Sequence, residues 1–346
     1  MKHFSEPLSL LLIIILAGCS PRIDVSLGWY YWRTDVRFDE NDRILFSSFG
    51  TERLYVRFFD VTYDTGTRAA VPTAPANIRS LPGTNCCIVP VVFITVDALT
   101  HADAPSLARA VVSRVRAMAD DAGFRSRIDE IQLDSDWTAK TRDTYFAMLR
   151  EVKRLGIGST AVTVSSTIRL HQVKYRKSMG APPADRLMLM LYNVHSPRDF
   201  TAANAIYDAS AERYLRYLPD YPIALDIAVP VYAQCRQYGS RSNFIRLMND
   251  VRARDIPAGD VVMLAPHRYR TVNDTLLSGH RVMKNDILAV DETDLDAALS
   301  IVRTCRRYGQ RTGKLSERIV LYHYDRYARR LSSAAIVSFT NDVRRQ

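Results

Sequence analysis

The sequence predicts an α/β protein, a (β/α)₈ TIM barrel carrying an α+β insertion between its seventh and eighth strands. Three observations lead there. Eight short runs rich in Val, Ile, Leu, Tyr and Phe recur along the chain, and amphipathic helical patterns lie between most of them. One gap, from Tyr232 to Arg318, is too long for a single crossover. Alternating strands and helices imply a parallel sheet, and a count of eight favours closure over an open doubly wound sheet. No Gly-rich phosphate loop follows the first run, which argues against a dinucleotide-binding version.

The expected strands cover residues 27–32, 54–60, 88–97, 130–136, 160–166, 187–193, 223–232 and 318–324. Clear helical periodicity covers 106–122, where Leu107, Ala110, Val111, Val115 and Met118 share a face, and 143–155, where Tyr145, Met148, Leu149 and Val152 do. Shorter helices are expected at 43–49, 203–218, 242–253 and 332–344. Residues 71–83, broken by Pro72, Pro75 and Pro82, read as loop. The insertion, about 234–317, is expected to hold a helix, a strand at 260–264, a polar loop through Asn273 and a helix at 295–308. It falls on the face where barrel chemistry occurs and should wall the cleft.

Ahead of the barrel stands a signal. Lys2 and His3 precede an apolar run, Leu8 to Leu16, that is too short to span a bilayer; Ala17, Gly18 and Cys19 follow. Leu16-Ala17-Gly18-Cys19 resembles the lipobox of bacterial lipoproteins. That resemblance implies removal of residues 1–18, lipidation of Cys19 with diacylglycerol and palmitate-like acyl chains, and a tether over 19–26. Residues 27–346 then form the folded part. Each buried methylene adds roughly 0.8 kcal/mol of anchoring. Ser20 after the anchor suggests the outer membrane of the bacterial envelope.

The net charge of +10 survives cleavage because Lys2 and Glu6 cancel within the signal. A basic envelope protein suits anionic neighbours, such as lipid headgroups, lipopolysaccharide or acidic glycans, and makes nucleic acid an improbable partner. At 47% hydrophobic and 24% charged, the composition is that of an ordinary globular protein. Cys86, Cys87, Cys235 and Cys305 allow three disulfide connectivities, and Cys235 with Cys305, flanking the insertion, is the favoured pair. No His/Cys spacing suggests zinc, so neither a metal nor a cofactor is expected.

Chemistry should stand at the carboxyl ends of the strands. In Asp129-Glu130-Ile131-Gln132-Leu133-Asp134-Ser135-Asp136-Trp137, a period of two puts Gln132, Asp134 and Asp136 on one face and Ile131 and Leu133 on the other. Two carboxylates so spaced repel, so that one can stay protonated as a general acid. Asp136 as a helix cap and Asp134 as a backbone acceptor is the structural alternative. Asp60, Asp97, Asp226, His195 and His323 add polar groups near other strand ends, with Asp226 either reaching the mouth or buried beside Arg57. Flat rings at a barrel mouth suit pyranose faces. Trp137 is the expected sugar contact, while alternation assigns at least half of Trp29-Tyr30-Tyr31-Trp32 to packing.

On these residues the chain resembles the chitinase-like glycoside hydrolases of family 18. Asp129, Gln132, Asp134 and Asp136 stand at the positions of that family's D-x-x-D-x-D-x-E signature. Met190-Leu191-Tyr192-Asn193 stands where it has M-x-Y-D, and Ala228-Val229-Pro230-Val231-Tyr232 resembles its G-x-P-x-Y segment. The family's acid Glu is Asp136 here, one methylene shorter, its second Asp is Gln132, and its Asp after Tyr is Asn193. No Trp stands on the eighth strand, where Tyr322, His323 and Tyr324 lie. The resemblance implies a glycan ligand. Asp136 is then the proton donor, Asp134 tunes it and Tyr192 orients the substrate. Trp137, Asn193, Tyr232, Asp60, Asp97 and His323 contact the substrate. The rival expectation keeps the barrel but not the acid: a non-catalytic glycan-binding or structural envelope lipoprotein.

Overall fold

The computed structural model describes residues 24–157, 162–309 and 312–345. The signal, the lipidated Cys19 and most of the 19–26 tether lie outside the described residues. Among those described, no helix is long and apolar enough to cross a membrane.

Eight parallel strands close into a barrel: β1 (Ser26–Tyr31), β2 (Thr51–Asp64), β3 (Cys87–Ile94), β4 (Glu130–Asp134), β5 (Thr163–Arg169), β6 (Arg186–Met190), β7 (Leu225–Pro230) and β8 (Leu315–Tyr322). Each pairs with its sequence neighbours, and β1 pairs with both β2 and β8, so no barrel edge is left open. Gly28 permits that closure, because a Cβ there would lie 2.9 Å from the Arg53 carbonyl oxygen on β2. All eight expected strands are present. The strip 71–83, expected as loop, is partly Ala69–Thr73, which adds antiparallel to the long tail of β2.

Strict alternation sorts the side chains. Trp29, Leu54, Ile131, Leu189 and Ile319 face outward into the layer shared with the helices, and Tyr30, Tyr55, Val91, Met188 and Val320 fill the interior. The helices Ala104–Asp121 and Arg142–Leu155 bury the faces that periodicity assigned to them. Below this core, at the amino-terminal ends of the strands, sits a buried charge network. Arg318 Nη1 donates to Glu130 at 2.8 Å and to the Tyr55 hydroxyl at 3.0 Å, and it lies 3.5 Å from Asp226. Arg186 brackets Asp226 through two nitrogens. Asp226 is therefore scaffold, and its partners are Arg186 and Arg318. Arg57 instead pairs with Asp60 near the other end.

The insertion is a five-stranded antiparallel sheet ordered Phe244–Asn249, Ala233–Tyr238, Ile287–Glu292, Arg268–Thr271 and Val261–Ala265, with a small hairpin beside it. Two expectations change. Within 242–253, where a helix was expected, Phe244–Asn249 forms a strand that pairs with Ala233–Tyr238 through a tight turn in which Gly239 N–H reaches the Asn243 carbonyl. The helix Leu295–Gly309, read from sequence as part of the insertion, buries Leu299, Val302 and Cys305 in the outer layer of the barrel and packs on β7 and β8 as its seventh helix. A third change lies between β6 and β7. The helix expected over 203–218 shrinks to short turns, because Asn204 and Asp208 accept from the backbone N–H groups of Ile206 and Ser210. Cys86, Cys87, Cys235 and Cys305 are all free, so the expected Cys235–Cys305 bridge is absent. Cys235 is buried in the insertion and Cys305 in the barrel wall.

Candidate functional site

The tips of β4 and β5 decide the chemistry. Gln132 pairs in register with Ser165, so the inward positions that follow are Asp134 beside Thr167 and Asp136 beside Arg169. The structure bears this out. Thr167 Oγ1 donates to Asp134 Oδ1 at 2.5 Å, and Arg169 Nη2 lies 3.3 Å from the same oxygen. Arg169 Nε donates to Asp136 Oδ1 at 2.5 Å. One guanidinium thus bridges both acids of the acidic strand end.

The two acids differ in setting. The Asp134 side chain is 3% exposed and that of Asp136 is 51% exposed. Burial pushes the Asp134 carboxyl upward, Arg169 and then Thr167 pull it back, and Asp136 adds a smaller upward push. The Arg169 guanidinium is held firmly charged by Asp134 and Asp136 despite its burial. To the expected pair of Asp134 and Asp136 the structure thus adds a guanidinium shared by both acids. Asp136 Oδ1 accepts from the Arg169 Nε–H, while the side chain as a whole stays half exposed.

Aromatic rings line the rest of the mouth. Tyr192, just past β6, stacks on Tyr322 of β8 with ring centres 4.4 Å apart and planes at 20°. The Tyr232 hydroxyl donates to Asn193 Oδ1 at 2.8 Å, and Asn193 takes a left-handed φ of 56° that turns the chain over the mouth. The Tyr192 hydroxyl is buried with no hydrogen-bond partner among the described residues, and burial holds it well above the usual phenol range. Trp32, one residue past β1, joins the inner aromatic cluster against Tyr30 and Tyr322.

Three hollows run across this face. One of about 920 Å³ lies among Trp32, Arg33, Arg57, Asp60, Asp325 and Arg329. A second of about 640 Å³ lies among Trp32, Arg33, Asn193, Tyr232, Asp250 and His323, with the insertion strands as its far wall. A third of about 280 Å³ holds Asp136, Arg169, His171, Tyr192 and Asn193. The first two share Trp32 and Arg33, and the last two share Asn193 and Val194, so they form one groove. Burial pushes the His323 imidazole down to about 4 and the Asp325 carboxyl up to about 6.

Of the residues expected to form the site, Asp136, Tyr192, Asn193, Tyr232, Asp60 and His323 line this groove. Asp134 lies beneath Arg169. Trp137 is a correction. It is fully buried, stacks on Tyr145 at 5.2 Å and donates its indole N–H to the Met179 carbonyl. β4 ends at Asp134, so alternation no longer governs residue 137, and the chain has turned outward onto the helix Arg142–Leu155. Asp97 is also displaced. It starts the helix Val96–His101 capped by Thr95, stands 64% exposed beside His101, and lines none of the three hollows. His195 bonds Asp208 at 2.8 Å with its Nε2 and serves the loop after β6.

Sequence reasoning missed Arg169, Trp32 as the accessible ring, and the pair Asp250 and Asp325. The signal for Arg169 was present. Extending the fifth strand by three residues puts Ser165, Thr167 and Arg169 on the inward face, opposite Gln132, Asp134 and Asp136.

No protein-family model matches the chain, and no curated protein matches it with significance. Solved structures match over most of its length. It is similar to the spore cortex-lytic enzyme SleL of Bacillus megaterium QM B1551, at 12% identity and a TM-score of 0.56, covering 92% of this chain and 74% of that one. It is also similar to the Group IV chitinase of Ostrinia furnacalis, at 11% identity and 0.54, covering 93% and 100%. A third is human YKL-39, described as a pseudo-chitinase with retained chitooligosaccharide binding, at 8% identity and 0.50, covering 92% and 99%. At these identities the likeness establishes the fold, a chitinase-like (β/α)₈ barrel.

Proposed function

We propose that this protein is a lipid-anchored envelope protein whose barrel mouth binds an oligosaccharide and does not hydrolyse it. One observation carries the reading: the Arg169 guanidinium ion-pairs with both acids at the strand-four tip, holding charge against the carboxyl that a proton donor would need neutral. The groove otherwise keeps what glycan binding needs. It has flat rings at Trp32 and Tyr322, polar groups at Asn193, Tyr232 and Asp60, and room for several sugar units. The fold shared with glycan-acting and glycan-binding structures supports the same reading.

The test is a panel of chitooligosaccharides, peptidoglycan fragments and acidic glycans, followed by calorimetry and by reducing-end release. Saturable binding without release of reducing ends is expected. Trp32→Ala should weaken it roughly 30-fold with the fold intact, the loss of one well-packed aromatic anchor. Steady release of products that disappears in Asp136→Asn would restore the hydrolase expected from sequence. Anchoring is tested separately: a clickable palmitate analogue should label the wild type and not Cys19→Ser, and the latter should leave the membrane fraction.

A further inference from the structure

Where the barrel, the insertion and the groove meet, three side chains converge that the glycan reading does not use. Asp250 follows the insertion strand Phe244–Asn249, and His323 and Asp325 follow β8. One ligand atom from each lies within 4.8 Å of the other two. From this arrangement we propose a divalent-cation site for zinc or a similar borderline metal, held by Asp250, His323 and Asp325.

The carboxylates are built as ligands are. Asp325 is buried, and its Oδ1 accepts from the Tyr327 and Ala328 backbone N–H groups at 2.8 Å each. Asp250 Oδ2 accepts from Arg33 Nη2 at 2.6 Å. Each carboxylate therefore has one oxygen fixed from behind, as outer-shell bonds orient metal ligands, and one oxygen with no donor among the described residues. One oxygen of each carboxylate lies within 4.8 Å of a His323 nitrogen. Neither His323 nitrogen has a hydrogen-bond partner among the described residues, and Nδ1 is buried in that condition. A buried imidazole nitrogen without a partner is costly, and a coordinated ion would supply that partner.

A cation does two things at once. It accepts an imidazole lone pair and neutralises the neighbouring carboxylates, whose charge Arg33 at Asp250 and Arg252 near Asp325 offset in part. One imidazole with two carboxylates suits zinc better than calcium or magnesium, which prefer all-oxygen shells. Donors around zinc sit about 3.5 Å apart, so the cluster needs to close by roughly an ångström. Three protein ligands leave at least one position open. That position is reachable, because Asp250 and His323 line the 640 Å³ hollow and Asp325 lines the 920 Å³ one. The ion would also clip the insertion to the barrel rim. The proposal stands whether or not the groove takes a glycan.

The whole chain, stripped with chelator, is titrated with ZnCl₂ by calorimetry, and with Co²⁺ followed by its visible absorption. One ion per chain is expected, with a rise in melting temperature and a Co²⁺ spectrum of a four- or five-coordinate site. Asp250→Asn and His323→Ala should each weaken Zn²⁺ at least about tenfold while keeping the wild-type circular dichroism. If a variant fails to fold, the wild-type Co²⁺ spectrum decides. Absence of saturable binding, a six-coordinate aqua-like spectrum, or unchanged affinity in both folded variants would overturn the site, the carboxylates then sharing a proton instead.

Discussion

Arg236→Met should lower the stability of the protein by about 3–5 kcal/mol, the usual cost of stranding one member of a buried ion pair. Arg236 and Asp291 face each other at 2.7 Å across the insertion sheet, and neither side chain has any exposed surface. The guanidinium also donates to the Asp199 and Ala202 carbonyls, at 2.7 and 2.9 Å, and to the Tyr238 hydroxyl. Methionine matches the volume and supplies none of these. Asp291 would keep only the Ala205 N–H and the Gln234 amide. Urea unfolding checks the value, and a second variant checks the cause. Arg236→Met with Asp291→Leu should recover most of the loss, because an apolar pair leaves no charge behind. Glycan binding should weaken in the single variant too, since the loop through Pro197 walls the groove and is tied down by the same residues.

Arg169→Gln should cost about 1–3 kcal/mol near neutral pH, with the size of the loss set by pH. Asp134 is buried and its carboxyl is already raised by desolvation, with Arg169 the largest opposing influence. Removing Arg169 raises it further. A carboxyl raised in the folded state holds a proton that the unfolded chain has released, so stability falls as pH climbs through the folded value. That fall is larger in the variant and continues to higher pH. The gap between variant and wild type should widen as pH rises above the ordinary carboxyl range and narrow as pH falls back toward it. Denaturant midpoints across that range test it, and a gap independent of pH would show that Asp134 is not the stranded charge.

The barrel was legible because each strand is a short apolar run bounded by polar residues, and closure needs only the count of eight. The insertion was less so. Phe244, Leu247, Met248 and Val251 fit a helical face as well as a strand, and only the neighbouring strand, far from any local signal, decides between them. Side-chain facing was legible inside strands and, at β4, as far as Asp136, but not at Trp137. Asp134 was placed correctly because β4 reaches it, whereas Trp137 lies beyond, where the chain has left the pleat. Arg169 escaped for a related reason: the fifth strand was ended at residue 166, three residues before the one that controls the acids.

The salt-bridged floor of the barrel has a consequence for how a polymer could meet this protein. With Glu130, Asp226 and Arg318 filling the lower interior and Tyr30 hydrogen-bonded to Gln132 above them, the cylinder is a stoppered cup. A long saccharide strand can lie sideways over the rim or dip one end inward, but it cannot thread the axis. Under the proposed function, capture midway along an intact polymer would therefore require the rim alone, and rim width would set how many units are gripped.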